Sequence, residues 1–173
     1  MSLLYEIGGI ILNYIKITPI DVANGIGCRV VLWTAGCEHH CKDCHNPDTW
    51  NQNAGILFDD NAEKELFTAL SKPFIHGLTL SGGDPLHPNN IDTITRLCKK
   101  IKEQMPEKTI WCYTGSVYEE IKNIELLNYI DVLVDGEFQV DKKDITLLFR
   151  GSSNQRLIDI PNTIKTNSVV LYG

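Results

Sequence analysis

The sequence predicts an α/β fold built as a partial, open β/α barrel, and three observations predict it. Apolar strand-like runs alternate with amphipathic helix-like runs, the pattern of parallel strands joined by helical crossovers. The chain has 173 residues, whereas a complete eight-unit barrel typically needs about 250. Two polar motifs each directly follow a predicted strand, and ligands of such sheets bind at the carboxyl ends of strands. No repeat, low-complexity stretch or linker divides the chain, so residues 1–173 are expected to form a single domain.

The elements follow in order. Met1 to Tyr14 is apolar but lacks a basic start, and Glu6 and Gly8-Gly9 interrupt it, so it reads as a strand pair rather than a signal peptide. Arg29 to Ala35 (RVVLWTA) is β-branched and apolar, the signature of a buried strand. Asp60 with Glu63 makes a capping-box pattern before a helix carrying Leu66, Phe67 and Leu70, and Pro73 ends it. Gly77 to Leu80 is a short strand that runs into Ser81-Gly82-Gly83. The next helix lays Ile91, Ile94, Leu97, Cys98 and Ile101 on one stripe and closes at Pro106. Thr109 to Thr114 is a strand. Ser116 and Glu119 form a second capping box, before Ile121, Ile124 and Leu127. Ile130 to Val134 is again a strand. Beyond Phe138 the pattern weakens: Lys142 to Asp144 reads as a surface turn or helix start, and Leu147 to Phe149 and Ser168 to Tyr172 as final strands.

Composition excludes several classes. Apolar residues make 43% and charged residues 22%, a globular balance. No run of eighteen apolar residues exists, so no membrane span is expected. The net charge is −6, and the only compact basic group, Lys99, Lys100 and Lys102, reads as the solvated side of a helix, so nucleic acid is not an expected partner. Three of the six cysteines fall within eight residues, which no ordinary disulfide framework needs. That crowding points to a reducing, cytoplasmic compartment and a metal or cluster.

Those three are Cys37, Cys41 and Cys44, in the run GCEHHCKDCHN from Gly36 to Asn46, a C-x3-C-x2-C spacing. Thiolates suit iron–sulfur clusters because soft sulfur matches iron and its charge offsets the ferric charge. Most electron-transfer clusters take four cysteines; a local set of three leaves one iron open, an arrangement suited to chemistry. The competing reading is zinc on Cys37, Cys41, Cys44 and His45. Adjacent Cys44 and His45 are hard to place on one tetrahedral ion, although His39 or His40 could substitute. Cys98 and Cys112, on a helix stripe and inside a strand, read as small core residues, and Cys28, before the first strand, reads so with less force.

This cysteine spacing after a first buried strand resembles the radical S-adenosylmethionine superfamily. The resemblance implies a barrel of that superfamily's type and a [4Fe–4S] cluster whose open iron is chelated by the amino and carboxylate groups of S-adenosylmethionine. Reductive cleavage then yields methionine and a 5′-deoxyadenosyl radical. In many members an aromatic residue precedes the third cysteine and lies near the adenine; here that residue is Asp43. The adenine is then expected to rest on backbone, on His45 or on Trp50. LSGGDPL, from Leu80 to Leu86, resembles the superfamily's Gly-Gly-acidic-Pro motif, which receives the ligand's ammonium, and that role is carried onto Gly82, Gly83 and Asp84. On its own a Gly-Gly pair marks a turn, or a place where backbone approaches a ligand closely. Thr114 and Asp135 end the next two predicted strands and are candidates for ribose or carboxylate contacts, or simply a turn hydroxyl and a strand-terminating acid.

Four further stretches narrow the resemblance. DVANGIGCR (Asp21 to Arg29), CHNPDTW (Cys44 to Trp50), DVLVDGEF (Asp131 to Phe138) and RGSSNQRLIDI (Arg150 to Ile160) occur in this order. Together they resemble the activating proteins of anaerobic (class III) ribonucleoside-triphosphate reductase. That resemblance implies an activase which, with an external electron donor, abstracts a hydrogen from one glycine of the large reductase subunit to leave a glycyl radical. Arg150, Asn154 and Arg156 then become candidates for a partner- or ligand-contacting loop, or for a loop that merely caps the barrel. Two alternatives remain: a pyruvate formate-lyase-type activase, which shares the Cys-His-Asn run but is normally longer, and a zinc-binding module with no chemistry.

Overall fold

The computed structural model describes residues 12–173. Its centre is a seven-stranded sheet: β1 (Asn13–Asp21), β2 (Arg29–Thr34), β3 (Ile56–Leu57), β4 (Gly77–Gly82), β5 (Thr109–Tyr113), β6 (Val132–Asp135) and β7 (Arg156–Asp159). The spatial order is β3-β1-β2-β4-β5-β6-β7. The sheet does not close, as the short chain predicts. β2, β4, β5 and β6 run parallel, in register from Arg29↔Gly77 to Thr34↔Gly82 across the first pair. The flanks differ from an all-parallel expectation: β1 is antiparallel to β2, β3 to β1 and β7 to β6. A chain too short for further crossovers completes its sheet with strands that need only short returns.

The parallel strands read as continuous apolar runs because both faces are covered. On one face Leu32, Leu78, Leu80, Ile110, Cys112 and Leu133 pack under α1 (Asp60–Leu70) and α2 (Ile91–Gln104), joined by Leu66, Leu70, Ile94, Leu97, Cys98 and Ile101. On the other face Trp111, Val132, Val134 and Leu157 form a smaller core with Tyr113, Phe149 and Tyr172. Arg29 floors that second face. It is 1% exposed, and its guanidinium donates to Thr79 Oγ1, Thr109 Oγ1 and the carbonyls of Ile26, Leu78 and Thr109, with Trp111 stacked at 5.5 Å. Above this floor, Trp33, Ser81 and Tyr113 remain to face a cavity.

Several expectations need correction. Asp59, not Asp60, caps α1, its side chain accepting the Ala62 N–H. The helix expected after Ser116 splits into α3 (Tyr118–Ile121) and a 3-10 turn at Glu125–Tyr129. Neither Ser116 nor Glu119 caps it; the Tyr118 N–H donates to Asp135 instead. Leu147–Phe149 forms no strand, and Leu171 makes only an isolated bridge to Ile158. The last strand is β7, followed by α4 (Ile160–Thr166) with Asp159 as its cap. The strand pair expected over Met1–Tyr14 lies, up to residue 11, outside the described residues. β1, which continues to Asp21, was not legible as a strand over its polar second half.

Candidate functional site

A cavity of about 480 Å³ opens at the carboxyl ends of β2, β4, β5 and β6. The two motifs meet there because their strands are neighbours in the sheet. Directly after β2, the Gly36 N–H donates to Thr49 O at 2.7 Å and the Cys37 N–H to Trp50 O at 3.1 Å, closing the cysteine loop on itself. After β4, the Gly83 N–H donates to Thr34 O at 2.8 Å and the Asp84 N–H to Gly36 O at 2.7 Å. Buried Asn90 ties both together, donating to Ala35 O and Asp84 O.

Cys37, Cys41 and Cys44 all line this cavity, and none is in a disulfide. Cys98 and Cys112 are wholly buried on the helix-covered face, where desolvation pushes both thiols up. His45, Gly82, Gly83, Asp84, Thr114 and Arg150 also reach the cavity, whereas Asp43, Asp135, Asn154 and Arg156 do not.

The polar groups behind the wall are largely committed to one another. Asp84, 4% exposed, accepts from Leu86 N on Oδ1, and from Thr114 Oγ1, Gly115 N and His39 Nε2 on Oδ2. His39 carries Glu137 on its other ring nitrogen at 2.8 Å. The Asp84 contact, reinforced by Glu137 and opposed by burial, raises the His39 imidazole to about 9. His39 therefore straps the cysteine loop to the ends of β4 and β6, and sits against Gly115, where any Cβ would come within 2.5 Å of its ring. Asp135 is equally engaged, with Arg156 Nε at 3.1 Å and Tyr118 N at 2.8 Å. Asn154 donates to Glu137 O.

The glycines serve close approach within the protein itself. A Cβ on Gly83 would lie 2.4 Å from Gly36 O and 2.9 Å from Thr49 O. Gly82 has φ +104°, a region in which side chains are strained. Asp43 has φ +56°. Left-handed backbone tolerates Asp far better than an aromatic residue, a physical reason for the departure from an aromatic before the third cysteine.

A family model described as a 4Fe-4S single cluster domain matches residues 23–158. A protein of Enterobacteria phage T4 is 50% identical over 149 residues, covering 84% of this chain and 93% of its own length. A protein of Haemophilus influenzae is 44% identical and one of Escherichia coli K12 41% identical, each over 148 residues, 83% of this chain and 96% of its own. All three are named anaerobic ribonucleoside-triphosphate reductase-activating protein. The chain belongs to this family of activating proteins.

The residues of this family member fit a cluster. Three soft thiols share one wall of a cavity large enough for a multi-atom group, and the Asn46 N–H lies 3.4 Å from Cys44 Sγ. Among the described residues, no three His, Cys, Asp or Glu side chains converge on a single ion position. Burial pushes the Cys37 thiol up to about 11 and raises that of Cys41.

Sequence reading missed His39 as a strap and the wall made by Trp33, Tyr113, Phe138, Phe149 and Gln155. Strand parity finds Trp33 and Tyr113, since each alternates with a core residue. Nothing local marks Phe138, which lies against His45 at 5.3 Å.

Proposed function

We propose that this activating protein binds a [4Fe–4S] cluster through Cys37, Cys41 and Cys44, and reductively cleaves S-adenosylmethionine to abstract a hydrogen from a glycine of the large anaerobic reductase. The observation that carries the reading is the three free thiols on one cavity wall, beside the Gly82-Gly83 loop, in a chain 50% identical to a protein named for activating that reductase. When bound, the cluster supplies one electron, taken from an external donor, to split the sulfonium of S-adenosylmethionine into methionine and a 5′-deoxyadenosyl radical.

The protein's own residues set the geometry. His39 and Asp84 hold the cysteine loop against the strand ends, so the thiols keep their positions. Gly82 and Gly83, with no Cβ, keep the facing loop close. Trp33, Tyr113 and Phe138 present apolar surface to the cavity that limits water around the bound ligand. Such a transfer is efficient only when the target hydrogen is held in near-attack geometry, which requires the partner's loop to enter the open side of the cavity.

The test is anaerobic reconstitution with iron and sulfide, followed by reduction with S-adenosylmethionine and the reductase. Electron paramagnetic resonance is expected to show a glycyl doublet whose splitting collapses when deuterium replaces the glycine hydrogen. A loaded protein that cleaves S-adenosylmethionine, leaves the reductase silent and activates pyruvate formate-lyase would keep the chemistry and overturn the substrate. A colourless protein that holds zinc would overturn both.

A further inference from the structure

We infer that Arg150 is the residue that receives the carboxylate of S-adenosylmethionine in the cavity. The inference rests on the proposed function and adds a named anchor to it.

Arg150 is the only lysine or arginine on the cavity wall among the described residues. Its Nε is buried without a hydrogen-bond partner, and no ion pair to it occurs among the described residues. A buried guanidinium nitrogen left unpaired is costly unless something else pairs with it. Arg156 in the same loop contrasts with it: both edges of its guanidinium are held by Asp135 and Glu119, and it does not reach the cavity. The His39 ring, also on the wall, has both nitrogens engaged by carboxylates.

The backbone is built to hold Arg150 where it is. Phe149, just before it, has φ +60°, a conformation strained for a non-glycine residue. Tyr113 OH fixes that turn by donating to Phe149 O at 2.7 Å, and the Phe149 ring packs on Trp111 at 5.3 Å. On the far side Gln155 Oε1 accepts from Gly151 N at 2.9 Å, while its Nε2 donates to Gly136 O at 3.0 Å. Local strain that persists under this much support belongs at functional positions.

The ligand's chemistry supplies the match. S-adenosylmethionine carries two positive groups, sulfonium and ammonium, and one negative group, its carboxylate. Of the ligand's charged groups only the carboxylate can pair with the guanidinium, and its oxygen not taken by iron can accept a charge-assisted hydrogen bond from Arg150.

The test is a ligand-by-variant cycle on anaerobically reconstituted protein. Dissociation constants are measured by calorimetry for S-adenosylmethionine and for its decarboxylated analogue, against the wild type, Arg150→Gln and Arg150→Lys, with iron content and thermal unfolding recorded for each. Arg150→Gln is expected to weaken S-adenosylmethionine about 10- to 100-fold, the range of a charge-assisted hydrogen bond, and to leave the analogue's affinity unchanged. Arg150→Lys, which keeps charge but not the fork, is expected to fall between, and decides the matter if Arg150→Gln fails to load iron. Equal losses for both ligands, or no loss for either, would overturn the assignment. A wild type loaded with iron that binds neither ligand would overturn the proposed function itself, and the assignment with it.

Discussion

Arg156→Met removes the centre of a three-residue ion cluster, and the structure sets the size of the effect. Asp135 is 1% exposed and has Arg156 on both oxygens, with only the Tyr118 N–H besides. Without Arg156 a buried carboxylate stands nearly alone, a situation that costs about 3–5 kcal/mol. Glu119 also loses its partner, but its side chain is 57% exposed, so that pair adds at most about 1 kcal/mol. The expected loss is about 4 kcal/mol, a large fraction of the total stability of about 5–15 kcal/mol usual for a protein. At about 2–4 °C per kcal/mol for a chain of this size, the melting temperature should fall by about 8–16 °C. Anaerobic urea unfolding of the iron-free protein, followed by circular dichroism, measures it. Asp135→Asn in the Arg156→Met background removes the stranded charge, so the double variant should lose at least about 2 kcal/mol less than the two single losses added together. An Arg156→Met protein within about 1 kcal/mol of wild type, or strictly additive losses, would refute the reasoning. In the structure Arg156 holds the end of β6 against α3.

Other perturbations probe the remaining parts of the site. Cys37→Ala, Cys41→Ala and Cys44→Ala should each abolish cluster loading, since each removes one of three thiols, whereas Cys98→Ala and Cys112→Ala should load iron normally; iron per chain after reconstitution decides, and a full complement in Cys41→Ala would sink the ligand set. Gly83→Val should lower both stability, by about 2 kcal/mol or more, and iron content, because its side chain strikes backbone at Gly36, next to Cys37, before it meets any ligand; a normally loaded, fully stable variant that only binds S-adenosylmethionine weakly would restore the simpler view of a ligand-facing glycine. The Glu119 carboxyl is held down to about 2, chiefly by Arg156. Its contribution is thus present above its ordinary 4.5 and lost as pH falls through 2, so the stability gap to Glu119→Gln, at most about 1 kcal/mol, should close over that window. Urea midpoints across that range would show a constant gap if the pairing were incidental.

What the sequence determined by itself was the alternation of elements and the position of the chemistry. Arg29–Thr34, Gly77–Gly82, Thr109–Tyr113 and the stripe from Ile94 to Ile101 were legible because burial on a strand or one helix face imposes a period on neighbouring residues. The cysteine triad and the Gly-Gly loop were legible because their spacing is local. Tertiary structure alone decided the antiparallel flanks, since strand direction depends on which neighbour a chain returns to and leaves no local mark. It also decided the partners. His39 and Asp84 are 45 residues apart, as the hydrogen bond between them records, and Asp135 and Arg156 are 21 apart. Only the parallel register of β2 with β4 and the antiparallel pairing of β6 with β7 bring these pairs within 3 Å or so. The same folding separates two arginines of one loop that look alike in sequence. Arg156 lies on a strand whose antiparallel partner supplies a buried acid; Arg150 follows a residue bent to positive φ, reaches the cavity and makes no ion pair among the described residues.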